Sequence, residues 1–237
     1  MIVPDWVSED GTVILYNRDC LDVLPTFKIG SVDAVITDPP FGIGFKYASY
    51  DDTSEEYGAW LWSIIEQCEQ KARPGSPIFI WQAMLNVRKF VEWFPRDWRL
   101  FAACKNFVQM RPTAMQYAFD PVVVWWKEGA KAWTEGTASR DFYVANTSPS
   151  CHIGLNNVKG HPCPRPLEAV RHIIGQWVIP DGCVLDCFMG SGTTGVACIQ
   201  LRRKFIGIEI DEKYFHIAVK RITEAQMQLH LPLEGAS

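Results

Sequence analysis

Asp38-Pro39-Pro40-Phe41 directly follows the apolar run Val32-Asp33-Ala34-Val35-Ile36-Thr37. A carboxylate, two prolines and an aromatic ring at the end of an expected strand suit the grip on a planar amino group. The carboxylate can accept one N–H, and a backbone carbonyl beside a proline can accept another. The proline rings hold the turn stiff, and the aromatic face can stack on a flat heterocycle. Asp-Pro and Pro-Pro are also ordinary turn formers, so the tetrapeptide gains meaning only beside a second motif.

That second motif runs Cys183-Val184-Leu185-Asp186-Cys187-Phe188-Met189-Gly190-Ser191-Gly192-Thr193-Thr194-Gly195. Val184-Leu185 reads as a buried strand ending at Asp186, and the glycines open a helix that continues through Val196-Ala197-Cys198-Ile199. A further apolar run, Phe205-Ile206-Gly207-Ile208, is closed by Glu209, nineteen residues after Gly190. Strand, glycine turn, helix and an acid at the tip of the next strand make the nucleotide-binding unit of doubly wound folds. The glycines let backbone approach the ligand, and the acid accepts the ribose hydroxyls. NAD and FAD enzymes share this spacing, so a dinucleotide stays open at this point. The missing Gly-Lys-Ser/Thr ending argues against a phosphate-binding P-loop. S-adenosylmethionine (SAM) has no phosphate, and Phe188-Met189 ahead of the glycines fits it better.

Together the two segments resemble the amino-group DNA methyltransferases, which modify adenine N6 or cytosine N4. In that family an Asp/Ser/Asn-Pro-Pro-aromatic motif is catalytic and a Phe-x-Gly-x-Gly motif binds SAM. The corresponding residues here are Asp38 to Phe41 and Phe188-Met189-Gly190-Ser191-Gly192. The catalytic motif comes first, as in the family's β class, whose circularly permuted members carry the SAM half of the sheet last. His161-Pro162-Cys163-Pro164-Arg165-Pro166 is similar to the family's His-Pro-x-x-Lys-Pro segment, which starts a helix and touches SAM. Arginine in place of lysine keeps the charge but not the geometry. Asn17-Arg18-Asp19-Cys20-Leu21 resembles the family's Gly-Asp-Cys segment without its glycine, and Lys204 to Glu209 matches the strand whose acid holds the ribose, with Tyr214 following. The resemblance spans about residues 12 to 220.

The resemblance implies an α/β fold: a doubly wound, mostly parallel, seven-stranded-type Rossmann-like SAM methyltransferase sheet, permuted with the catalytic half first. It implies catalytic roles for Asp38, Pro39, Pro40 and Phe41. The cofactor contacts it implies are Asp19, Asp186, Phe188, Gly190, Ser191, Gly192, Thr193, Glu209, His161, Arg165 and Pro166. For Asp186 and Asp19, capping of backbone amides stands as the alternative, and for Thr193 and Thr194, capping of the helix. The implied partner is double-stranded DNA, in a restriction-modification setting, and relatives are often dimers. An aspartate-led motif favours adenine N6; N4-cytosine methylation and a non-catalytic SAM- or DNA-binding subunit are the alternatives.

Composition allows this reading. At 237 residues and 48% hydrophobic, the chain can bury one large core, and one α/β domain over 1–237 is expected. No apolar stretch approaches membrane-spanning length and no secretory signal opens the chain, so a cytoplasmic enzyme is expected. The eight cysteines follow no pairing pattern and read as reduced, mostly buried residues. Cys151-His152 and His161-Pro162-Cys163 gather four potential zinc ligands. Their spacing is not a CxxC knuckle and His161 already belongs to the His-Pro segment, so no metal is expected. A net charge of −4 carries no general nucleic-acid signature. Residues 86–111 nevertheless hold Arg88, Lys89, Arg96, Arg99, Lys105 and Arg111, interleaved with Trp93, Phe94, Trp98, Phe101 and Phe107. These cations are either solvated charges around a core strand and helix or phosphate contacts.

The elements expected to position these residues are strands at 13–16, 32–37, 78–81, 99–108 and 121–126, and helices at 54–72, 84–94 and 166–177. On the first long helix Tyr57, Leu61, Ile64, Ile65 and Cys68 share one face. A loop at 42–53 holds Gly42, Gly44, Lys46 and Tyr47. Segment 127–163 reads as irregular and polar, and within it about 127–160 forms a short insertion, with room for target-recognition loops but not for a separate recognition domain.

Overall fold

The computed structural model describes residues 2–43, 56–105, 118–129, 139–145 and 165–230. The Gly44, Lys46 and Tyr47 loop, the His161 segment, Phe107, Arg111 and the Cys151–Cys163 cluster lie outside these residues.

Among the described residues nine strands form one sheet: β1 (Trp6–Val7), β2 (Val13–Tyr16), β3 (Ala34–Thr37), β4 (Pro77–Trp81), β5 (Arg99–Lys105), β6 (Phe119–Trp126), β7 (Phe142–Ala145), β8 (Cys183–Asp186) and β9 (Lys204–Ile208). Their order across the sheet is β1-β2-β9-β8-β3-β4-β6-β5-β7. The five strands from β2 to β4 pair in parallel, whereas β6 runs antiparallel to both of its neighbours. The seven strands from β2 to β5 are the doubly wound sheet expected from the sequence. The two-residue β1 and the four-residue β7 extend it at its edges. β7 corrects the reading of 127–163 as wholly irregular, because Phe142 to Ala145 pair in parallel with Ala102 to Lys105.

Both faces of the sheet are covered, so strand residues are buried in both directions. Ala34, Ile36, Phe79, Trp81, Val122 and Val124 point into one core with α4 (Leu167–Trp177), α5 (Thr193–Gln200) and α6 (Glu212–His230). Val35, Ile78, Ile80, Val123 and Trp125 point into the other with α1 (Cys20–Val23), α2 (Tyr57–Lys71) and α3 (Phe90–Trp93). The expected face of α2, from Tyr57 to Cys68, is the buried one. The expected helix at 84–94 is instead a 3-10 turn over Met84–Lys89 followed by the four-residue α3. Asn86 is buried with its side chain bonded outside the helix, and Pro95 bars continuation past Phe94. The C-terminal α6 carries Phe215, Ala218, Ile222 and Ala225 at helical spacing toward the core. The six cysteines among the described residues are free thiols, four of them buried.

The strand order reverses between β8 and β3. From β8 the chain winds through α5 to β9 on one side, and from β3 it winds through α2 to β4 on the other. In open α/β sheets the ligand crevice lies outside the carboxyl ends of the strands at such a switch point. Asp38 follows β3 and Phe188 follows β8, so both motifs sit at this place.

Phe205 ties the glycine-rich loop to this frame. Its side chain is fully buried, and a Cβ at Gly195 or Gly207 would lie within 2.8 or 2.7 Å of its ring. Phe205→Ala is expected to lower stability by about 3–5 kcal/mol, read from urea denaturation; a loss below about 1 kcal/mol would contradict this packing role.

Candidate active site

The catalytic-type turn hangs from the tip of β3. Thr37, the last residue of the strand, is buried, and its Oγ1 donates to Asp186 Oδ1 at 2.7 Å. Asp38 and Asp186 are thereby held at neighbouring strand tips. Beyond Asp38 two carbonyls of the turn already have donors. Tyr57 Oη donates to the Pro40 carbonyl, and Asn86 Nδ2 donates to the Phe41 carbonyl at 2.6 Å. Gln82 Nε2 donates to Tyr57 Oη at 2.8 Å, and its Oε1 accepts from Asn86 at 3.3 Å. The Pro39 carbonyl has no donor among the described residues.

Tyr57, Gln82 and Asn86 are each at most 3% exposed. They form a clamp that the sequence reading does not identify. Its signal was two amide residues following the apolar run Ile78 to Trp81. Gly42 completes the clamp with φ +66°, and a Cβ there would sit 2.7 Å from the Tyr57 ring, so the turn rests directly on that ring.

Arg165, expected to touch the cofactor, is bonded to the catalytic-type turn. Its Nε donates to Asp38 Oδ2 at 2.7 Å and its Nη2 to Asp38 Oδ1 at 2.8 Å. Its Nη1 donates to Asp120 Oδ2 at 3.0 Å, and Lys105 Nζ donates to the same carboxylate, to Oδ1, at 2.8 Å. The guanidinium carbon lies 4.8 Å over the Phe41 ring. The reason is positional: Arg165 stands immediately before Pro166, which begins α4, and that helix packs on the sheet face shared by Ala34 and Ile36 of β3. Asp120, in β6, is a further residue of this site that the sequence reading does not identify.

The second half of the site is the loop after β8. Asp186 is 2% exposed and accepts from Thr37, from the Phe188 N–H at 3.1 Å and from the Thr194 hydroxyl. Burial pushes its carboxyl up to about 6, against the pull of those donors. It caps backbone and joins β8 to β3, the alternative weighed for it. Gly192, with φ +78°, precedes α5 and lies against Ala218 of α6. The hydroxyls of Ser191 and Thr193 accept from Arg221 Nη1 of α6 at 3.0 and 3.3 Å. Both residues are buried, and their hydroxyl oxygens are tied to α6 through Arg221.

Glu209 follows β9, facing the glycines. One carboxylate oxygen accepts from the Gly190 N–H at 2.8 Å and the other from the Asp211 N–H at 2.8 Å. Burial raises its carboxyl to about 7 despite both bonds. Asn17 Nδ2 donates to the Glu209 carbonyl at 2.9 Å, which brings the Asn17-Arg18-Asp19 segment to the same edge of the crevice. Asp19 itself is exposed and caps α1 through the Leu21 N–H at 2.9 Å. Phe188 is half-buried, and its ring lies 5.8 Å from Trp60. Trp60 in turn lies 5.8 Å from Tyr57, so an aromatic series from α2 connects the two loops.

Two cations of the 86–111 cluster have carboxylate partners within the chain: Lys105 pairs with Asp120, and Arg96, itself exposed, pairs with Glu69 and lies over the Trp62 ring. Arg88, Lys89 and Arg99 are exposed. Among the described residues there is no group of three or more potential metal ligands, and no helix is long and apolar enough to cross a membrane.

Residues 32–220 match the profile of a DNA methylase family, the N6/N4 methyltransferases. The chain is 28% identical to the type II methyltransferase M.BglII of Bacillus subtilis, covering 86% of this chain and 67% of that one. It is 25% identical to the DNA adenine methyltransferase YhdJ of Escherichia coli K12, over 92% and 84%. Among solved structures, that of the M1.HpyAVI–SAM complex superposes with a TM-score of 0.70 at 26% identity, over 89% and 98% of the two chains.

Glu209 generates a test of this geometry. Its unfolded carboxyl titrates near 4.5 and its folded one near 7. Across that window the folded state keeps a proton that the unfolded chain has released, so stability falls as pH rises. Glu209→Gln is expected to flatten the fall between about pH 5 and pH 8, leaving the smaller slope at lower pH due to Asp186. An unchanged slope in denaturant titrations would contradict the assignment. With both motifs at the switch point of the sheet and the family profile spanning 32–220, this chain belongs to the N6/N4 DNA methylase family.

Proposed function

We propose that this protein methylates the exocyclic N6 of adenine in double-stranded DNA, using SAM, after turning the target base out of the duplex. The observation that carries the reading is the pair of acceptors at the tip of β3: the Asp38 carboxylate, which holds a flat nitrogen donor, the Arg165 guanidinium, beside a Pro39 carbonyl that has no donor among the described residues. An exocyclic amino group has two N–H bonds to satisfy, and this pair offers two acceptors. The aspartate-led motif and the similarity to the adenine enzyme YhdJ favour adenine over cytosine N4. The intact Asp38 to Phe41 argues against a non-catalytic subunit. The chain then acts as one methyltransferase domain, with the catalytic half first, and the 127–160 stretch contributes target contacts.

The amine nitrogen is a poor nucleophile, because its lone pair is delocalised into the ring. Accepting both N–H groups concentrates electron density on nitrogen and fixes its direction of attack. Tyr57 and Asn86 preset the orientation of the turn by holding the Pro40 and Phe41 carbonyls, so little reorganisation is needed when the base arrives. Phe41 supplies a stacking face for the extruded ring. The residues of the other loop fit a nucleoside-bearing cofactor. Glu209 presents a carboxylate toward the glycines for ribose hydroxyls, Phe188 offers a half-open ring, and the backbone from Gly190 to Gly192 allows close approach. When bound, SAM supplies an activated methyl on a sulfonium, so positioning and exclusion of water account for most of the acceleration asked of the protein. No enzyme nucleophile is required.

The test is incubation with SAM and unmethylated duplex DNA, followed by nucleoside mass spectrometry. N6-methyladenine is expected; N4-methylcytosine would keep the mechanism and move the base, and no methylated nucleoside would overturn the reading. Asp38→Ala is expected to lower turnover by roughly a hundredfold or more, with SAM affinity little changed. Glu209→Ala should instead weaken SAM binding roughly tenfold or more, as the loss of hydrogen bonds to a charged group predicts. Wild-type turnover in the first variant, or wild-type SAM affinity in the second, would remove that residue from its role.

A further inference from the structure

Arg165 makes the contacts proposed for the target base. That base would donate N–H groups to the Asp38 carboxylate and lay its ring on Phe41. Arg165 donates two N–H bonds to Asp38, at 2.7 and 2.8 Å, and places its guanidinium carbon 4.8 Å over the Phe41 ring. A guanidinium is flat and carries its donors along its edge, as an aminopurine does on its amino side. A third bond, from Nη1 to Asp120 at 3.0 Å, ties the group to a carboxylate outside the catalytic turn. The side chain is 13% exposed, against 29% for the Asp38 it covers.

We infer that Arg165 is a positioning residue that fills the base site between turnovers, and that entry of the target base moves its guanidinium off Asp38 and Phe41 onto Asp120. The inference rests on the methylation reading above. It accounts for the arginine found where the family's segment has lysine, because an ammonium cannot make the flat two-point contact. It keeps a half-buried carboxylate paired when no base is present. Base capture becomes a competition, and the apparent DNA affinity is reduced by the fraction of molecules whose site is open.

Wild type, Arg165→Lys and Asp120→Asn are compared on plasmid DNA from a host without DNA methylation. Radiolabelled SAM gives kcat and the KM for DNA separately, and calorimetry gives SAM affinity. Arg165→Lys installs the residue of the family's own motif. It is expected to lower the KM for DNA by several-fold, up to about tenfold if the site is closed about nine-tenths of the time. Asp120→Asn removes the landing place and should raise that KM. A purely supporting role predicts losses in both variants, chiefly in kcat, so changes of the same sign overturn the inference. So does an unchanged KM in Arg165→Lys. If wild type transfers no methyl group to DNA, the methylation reading fails and takes this inference with it.

Discussion

Asp186 carries a carboxylate to the tip of β8 with 2% of its surface exposed. Burying such a group without donors costs several kcal/mol. Here the cost is offset by the Phe188 N–H, the Thr194 hydroxyl and, across the strand boundary, the Thr37 hydroxyl. That last bond links the residue before Asp38 to the residue two before Phe188. With the parallel pairing of Ala34 to Val184 and Val35 to Leu185, it sets the spacing between the turn proposed to grip an amine and the loop proposed to hold the cofactor. Methyl transfer between two bound molecules depends on that spacing, since a misplacement of about 1 Å can cost a hundredfold in rate.

Around this link each half has its own support. The turn after β3 is held by Tyr57 from α2 and by Gln82 and Asn86 after β4. The loop after β8 is held by Arg221 from α6 and by Glu209 after β9. The supports come from both faces of the sheet, so neither loop depends on one packing layer. Half-buried polar groups are costly unless fully satisfied, and here the donors and acceptors close on one another. The Pro39 carbonyl stands apart from this pattern, which is what a site awaiting an N–H donor requires.

Much of this was legible in the chain. The parallel core strands are apolar runs, α2 shows its buried face in the spacing from Tyr57 to Cys68, and the two motifs lie at the strand ends where such motifs act. β7 was not legible, because it is four residues in a polar stretch and pairs on one side only. The helix expected at 84–94 failed for a local reason: its apolar spacing is genuine, but the Asn86 side chain serves the Phe41 carbonyl instead of following a helix. Arg165 shows what a motif leaves open. The segment starts a helix as expected, but the wider, flatter arginine head reaches Asp38 and Asp120, and no one-dimensional pattern reveals which carboxylates a guanidinium will meet. The hydroxyls of Ser191 and Thr193 lie within a motif that promises ligand contact, yet Arg221, twenty-eight residues beyond Thr193, takes both.

One crevice, at the β8–β3 boundary, is proposed to bring cofactor and target amine together. The most direct measurement is a crystal structure with a SAM analogue that carries an amino group in place of the transferable methyl. The analogue's ribose is expected on Glu209, its body along Phe188 to Gly192, and its amino group directed toward Asp38 and the Pro39 carbonyl. A ligand bound elsewhere, or one whose amino group faces away from Asp38, would contradict this placement.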